Sequence, residues 1–206
     1  MDYRNLDVPY FSQWETPEMT LAVVSEGTSA LLRDPLWQNS GAKTVEEYAR
    51  WAVNICGMAC LKMILAARSE THPILSLARG CTDYGGYVVN EIDASIKGLI
   101  YAPFVDFVRE QFNLSAVIKT EIPATGLPAI LAKHRFFIAS VNSAIRWPER
   151  EPVSKGGHLV LVTAASQESI RFHNPSGHDR ASQADVVLSL ATFDRFYANR
   201  GIAVSF

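Results

Sequence analysis

The chain has 206 residues, 48% of them apolar, and a formal net charge of −2, which fits one domain with a substantial core and excludes a disordered chain. The balanced charge leaves no electrostatic footprint for nucleic acid or an anionic membrane, and no apolar run approaches the roughly 18 residues of a spanning helix. Three cysteines do not make a disulfide framework, and residues 1–7 are polar where a signal peptide is apolar, so a reducing cytoplasm is the expected setting.

Val8-Pro9-Tyr10-Phe11-Ser12-Gln13 reads as an extended entry segment. Residues 14–44 read as irregular, punctuated by Pro17, Gly27, Pro35 and Gly41. Thr44-Val45-Glu46-Glu47 has the form of a capping box, which predicts a helix from Val45 toward Trp51 that yields near Asn54. A second helix is predicted over 55–67, with Cys56, Ala59, Cys60, Met63 and Ile64 at helical spacing. A third is predicted over 103–112, with Phe104, Phe107, Val108 and Phe112 on one face, and a short one over 127–133. Beyond that point 136–141, 158–164, 169–173 and 202–206 are short, apolar and rich in β-branched or aromatic residues, so they read as strands. Residues 147–155 read as a loop between two of them, and 192–199 as a last helix stopped by Gly201. Helices first and strands later is the α+β order: an antiparallel sheet packed on the helix that carries Cys56.

Cys56 stands at the predicted start of that helix and is followed by Gly57. A free thiol has a pKa of about 8.5, and lowering it by two units needs roughly 2.7 kcal/mol. A helix end supplies about 0.3–1 kcal/mol at exposed sites, so a nearby imidazolium has to carry the larger share. His158 is the candidate: it opens an apolar strand, and Gly156-Gly157 before it leave room for a substrate backbone. The Cys56 sulfur is then expected within roughly 4 Å of a His158 ring nitrogen. Cys60, one turn further into the helix, reads as core, and Cys81 as structural. His72 precedes a proline, His134 sits at a helix C-terminus and His178 in a Gly/Asp-rich loop, so none competes as a base. His173 neighbours Asn174 on a strand, and the two should face opposite ways.

Asn174 has two readings: orienter of the His158 ring, or first residue of an Asn-Pro-Ser-Gly turn. Acyl transfer also needs oxyanion donors, and the candidates are the Cys56 N–H with the side-chain amide of Gln13 or Gln38. Trp147 is a candidate for lining a substrate groove. The cysteines and histidines lack zinc spacing and no phosphate loop is present, so no metal or cofactor is expected. A Cys, then a His, then an Asn is the chain order of a papain-like cysteine hydrolase.

Four blocks, Val8–Gln13, Cys56-Gly57-Met58-Ala59-Cys60, Gly157-His158-Leu159-Val160-Leu161-Val162 and Asn174-Pro175, resemble those of the double-glycine leader peptidase-like family of bacterial papain-like cysteine peptidases. The resemblance implies Cys56 as nucleophile, His158 as general base and acid, Asn174 as orienter where the family often has Asp, and Gln13 rather than Gln38 as oxyanion donor. It implies a single domain over 1–206 with an insertion at about 14–50, because the family has its Gln only a few residues before the Cys. The resemblance is to the peptidase domain alone, so a stand-alone peptidase without the transporter's membrane domain is the expectation. The expected activity is hydrolysis of a peptide or small amide through a thioester on Cys56. The alternatives are an acyltransferase with an amine acceptor and an inactive peptide-binding module. Oligomeric state is open.

Overall fold

The computed structural model describes residues 7–90 and 92–206. Residues 1–6, which carry most of the signal-peptide reading, lie outside the described residues. Short helices come first: 3-10 turns at Pro17–Met19 and Trp37–Ser40, with α1 (Thr20–Glu26) and α2 (Thr28–Leu31) between them. The longer helices are α3 (Val45–Ala52), α4 (Cys56–Ala66), α5 (Ile74–Asp83) and α6 (Tyr101–Phe112). The second half runs β1 (Ser115–Lys119), α7 (Leu127–Leu131), β2 (Phe136–Val141), β3 (His158–Ala165), β4 (Ser169–His173), α8 (Arg180–Gln183), β5 (Val186–Ser189), α9 (Leu190–Phe196) and β6 (Tyr197–Ser205). The strands form one sheet in the order β1-β6-β2-β3-β4-β5, and each neighbouring pair is antiparallel.

The sheet's two faces explain the apolar runs. On β2, Phe136 and Ile138 join Leu159 and Leu161 of β3 and Ile202 and Val204 of β6 in the cluster that contains α4. Their alternates, Phe137, Ala139, Val160, Val162 and Ala203, pack with Phe193 and Phe196 of α9. Successive strand residues face opposite sides, so a strand covered on both sides shows no polar alternation. α4 is apolar nearly all round: Met58, Ala59, Cys60, Leu61, Met63, Ile64 and Leu65 are fully buried, the pattern of a core helix. No single helix among the described residues is long and apolar enough to cross a membrane; α3 and α4 together pass by composition but meet at 94°.

The capping box is half formed. Thr44 accepts the Glu47 N–H, but the Glu47 carboxylate takes the N–H of Lys43 instead of Thr44. Residues 14–44 are not irregular: they hold α1, α2 and two 3-10 turns, pinned by buried Asp34, which accepts from Thr16, Leu36 and the Tyr48 hydroxyl. The last helix is α9, ending at Phe196, and Gly201 lies inside β6. A Cβ at Gly201 would meet the Ile138 carbonyl oxygen at 2.2 Å and the Phe137 ring at 2.6 Å. Its glycine therefore marks a close approach within a sheet and not a helix stop. β1 and β5, unread in the sequence, are the two edge strands, only partly buried and so weak in pattern.

Candidate active site

The entry segment runs beside the end of β4. The His173 ring accepts the Asp185 N–H at Nδ1 and donates from Nε2 to the Val8 carbonyl. Tyr10 donates to the Asn174 carbonyl, and both the Gln13 N–H and the Ser12 hydroxyl donate to the Pro175 carbonyl. These bonds bring Gln13 to the same cleft as Cys56 and His158, 43 and 145 residues away in sequence. The cleft has a volume of about 810 Å³, and Gln13, Cys56, Gly157, His158 and Ser176 all line it.

Cys56 is the first residue of α4, with Ile55 as N-cap. Gly57 lets the helix start sit tight on the sheet: a Cβ there would lie 2.7 Å from Leu99 and 3.1 Å from Leu159. The residue as a whole is half-buried, with its sulfur turned inward. Burial pushes the thiol up to about 11, although the N–H groups of Leu159, Gly57 and Cys56 itself hold it down. Two of those N–H groups are the free donors of a helix start, so the helix-end effect is present and desolvation outweighs it. No hydrogen bond joins the thiol to the His158 ring, and the ring is not among the causes acting on the thiol. The expected depressed thiol is therefore not what this structure holds. Cys60 and Cys81 are fully buried and free.

His158 is the first residue of β3 and only 6% exposed. Its Nε2 is 2.9 Å from Asn174 Oδ1 and 3.0 Å from Ser176 Oγ. The protonation follows from the network. The Ser176 backbone N–H donates to the same Asn174 atom at 3.1 Å, so that atom must be the amide oxygen. Only a protonated Nε2 can then bond it, which leaves the lone pair on Nδ1. Burial lowers His158 to about 4; the Asn174 bond opposes this and the charge of Arg146 adds to it. The resting pair is thus a neutral thiol and a neutral imidazole.

Asn174 makes the hydrogen bonds that both of its readings call for. Its carbonyl accepts the Gly177 N–H, closing a turn with Pro175 at the second position, and its side chain holds His158. Its Nδ2 is buried without a partner, which costs about 1–3 kcal/mol and which a mere turn would not require. Gln13 is also set: its Nε2 donates to Ala52 O, the free carbonyl at the end of α3, at 2.9 Å. Since a carbonyl cannot donate, the facing atom is the amide nitrogen, and its second proton is uncommitted. Gln38 is exposed, in the 3-10 turn, and does not line the cleft.

Gly157 lines the cleft at φ +97°, and a Cβ there would meet nothing within 4 Å. Gly156, at φ +89°, is buried behind it against Ser140 and Ala198, outside the lining. Trp147 also lies outside the lining; its ring packs between Arg146, Arg150 and the His178 ring. Ser176 and Arg146 were missed from the sequence. Ser176 lay inside a turn motif already spoken for, and nothing in the local sequence distinguishes the buried Arg146 from the other arginines.

A helical layer that carries Cys56 packs on an antiparallel sheet whose β3 opens with His158, and both residues line one cleft in an α+β fold. Solved structures have this fold. The peptidase domain of Streptococcus ComA, a bi-functional ABC transporter involved in quorum sensing, superposes with a TM-score of 0.51 at 14% identity over 74% of this chain and 92% of that one. A putative C39-like peptidase from Bacillus anthracis gives a TM-score of 0.53 at 15% identity over 74% and 89%. No family model matches the sequence, and no curated protein matches it.

Proposed function

We propose that the chain is a cysteine peptidase or amidase that works through a thioester on Cys56. One observation carries this reading: His158, held by Asn174 at 2.9 Å, lines the same cleft as Cys56 and Gln13. With Nε2–H given to Asn174, Nδ1 is the nitrogen left to take the thiol proton. The sulfur then adds to the substrate carbonyl, and the oxyanion is received by the Cys56 N–H and the second proton of Gln13 Nε2. Collapse breaks the C–N bond as His158 returns the proton to the leaving amine. Water, deprotonated by the same imidazole, adds to the thioester carbonyl; the C–S bond then breaks, His158 returns the proton to the Cys56 sulfur, and the acid leaves. Because both groups rest neutral, proton transfer accompanies attack and does not precede it.

The segment over 14–50 is proposed to be an insertion within a single domain that builds one cleft wall, since Trp14, Val23 and Val24 line the cleft. The proposed setting is a reducing cytoplasm, where three free thiols persist.

The test is mass spectrometry of the protein mixed with a peptide library. The expected result is cleaved peptides plus a transient acyl adduct on Cys56, both abolished in Cys56→Ser. Amide products formed only with added amine would identify acyl transfer instead. Neither adduct nor product, with Cys56 inert to iodoacetamide at every pH below its unfolding, would leave only a binding module.

A further inference from the structure

We infer that the cleft accepts a substrate bearing a carboxylate, which Arg146 and Arg200 receive; this deepens, and rests on, the reading of Cys56 as an acyl nucleophile. The chain has 21 acidic residues, yet none of the described residues that line the cleft is acidic, while Arg146 and Arg200 both line it. Arg146 is only 8% exposed. Its Nε donates to the Ser143 carbonyl at 3.0 Å and its Nη2 to Ser176 Oγ at 2.8 Å, both uncharged acceptors. Among the described residues, neither arginine has an ion pair with a carboxylate.

Buried cations are ordinarily paired, because an uncompensated charge out of water costs several kcal/mol. Here the guanidinium leans on the Trp147 ring, 5.4 Å away, which offsets only a small part of that cost. Its Nη1 makes no hydrogen bond among the described residues and is not among the sealed orphan atoms. The cleft thus presents a desolvated, fork-shaped donor with no anion of its own, the arrangement that best matches a carboxylate. Arg200 is exposed, beside Gly156 and Tyr101, and adds a second positive charge to the same lining.

The position has a chemical consequence. Arg146 reaches His158 through Ser176, so a carboxylate on Arg146 stands near the imidazole. The charge of Arg146 is one of the causes that lower His158. A bound carboxylate offsets that charge and makes the ring a better base when the acid-bearing substrate is in place.

Binding to the Cys56→Ala protein tests this without turnover, read from the arginine Nε–Hε and backbone NMR resonances. Three probes separate the sources of the carboxylate: N-acetylglycine presents a terminal one, the α-amide of N-acetylaspartic acid a side-chain one, and N-acetylglycinamide none. At least one acid should bind about tenfold tighter than the neutral amide, a difference of about 1.4 kcal/mol. Arg146→Gln should remove most of that preference and Arg200→Gln part of it. The preferred acid says whether the substrate ends at this point or carries an acidic residue. Equal binding of acids and amide, or a preference that survives both substitutions, would overturn the inference. If Arg146→Gln does not fold, the probe ratio in the Cys56→Ala protein and its partial loss in Arg200→Gln still decide. Rate ratios for iodoacetate over iodoacetamide at Cys56 give an independent arm. Labelling by both at the ratio of a free thiol refutes the carboxylate site alone, whereas no labelling at all refutes the nucleophile.

Discussion

His158 Nε2 lies 2.9 Å from Asn174 Oδ1, and the Ser176 N–H on the same oxygen fixes which ring nitrogen carries the proton. The base of the proposed reaction is therefore Nδ1, and its basicity depends on a side chain that also starts a turn.

Removing the Asn174 side chain should misorient the ring. Asn174→Ala is expected to lower kcat about 100-fold, the share that a positioned acid–base group supplies, with little change in KM. Asn174→Asp keeps an acceptor and adds a negative charge, so it should retain activity and move the acid limb of kcat/KM upward from about 4. A pH–rate profile of the three proteins checks both outcomes. An unchanged Asn174→Ala enzyme would reduce Asn174 to a turn residue.

Gln13 should act on the transition state and not on binding. Gln13→Glu keeps the size and removes the amide donor, and kcat is expected to fall about 100- to 1000-fold with KM nearly constant. Because Gln13 also caps Ala52 O, thermal unfolding of the variant has to accompany the kinetics. A KM effect alone would assign Gln13 to substrate binding.

The thiol should not behave as a preformed thiolate. With Cys56 pushed up to about 11, its alkylation by iodoacetamide should rise about tenfold per pH unit from pH 6 to pH 9. Hydrolysis should stay flat across that range, because its base is already deprotonated above about 4. Cys60 and Cys81, fully buried, should label only on unfolding. A labelling plateau below pH 8 would instead establish a thiolate–imidazolium pair.

Burial of neutral His158 should also make the fold acid-sensitive. The ring is lowered from 6.5 to about 4 on folding, so below pH 6.5 the unfolded chain binds a proton that the folded one refuses. Stability is full above pH 6.5 and is lost as pH falls toward 4, by about 3 kcal/mol from this group. His173, also lowered by burial, acts with the same sign. Urea titrations at pH 7.5 and 4.5 should show the loss, and His158→Gln should shrink it.

Cys56 and His158 were singled out in the sequence on local signals, a helix start and a glycine pair, whereas the turn at Asn174 left its part open between two readings. Helices α3, α4 and α6 and the central strands were legible for the same reason, as periodicity is a property of neighbours along the chain, whereas α5 went unread. What went unread is set by partners far away in sequence. Gly201 looked like a stop signal and is a close approach to Ile138 O. The 14–44 stretch looked irregular because the buried Asp34 that organises it bonds Tyr48.

The sequence by itself determined the α+β class and which residues have the chemistry for acyl transfer. Only the tertiary structure decided their electrostatic state. A pKa depends on solvent exclusion and on charges brought from elsewhere, and here burial raised Cys56, burial and Arg146 lowered His158, and no acidic residue among the described lining came to neutralise the cleft.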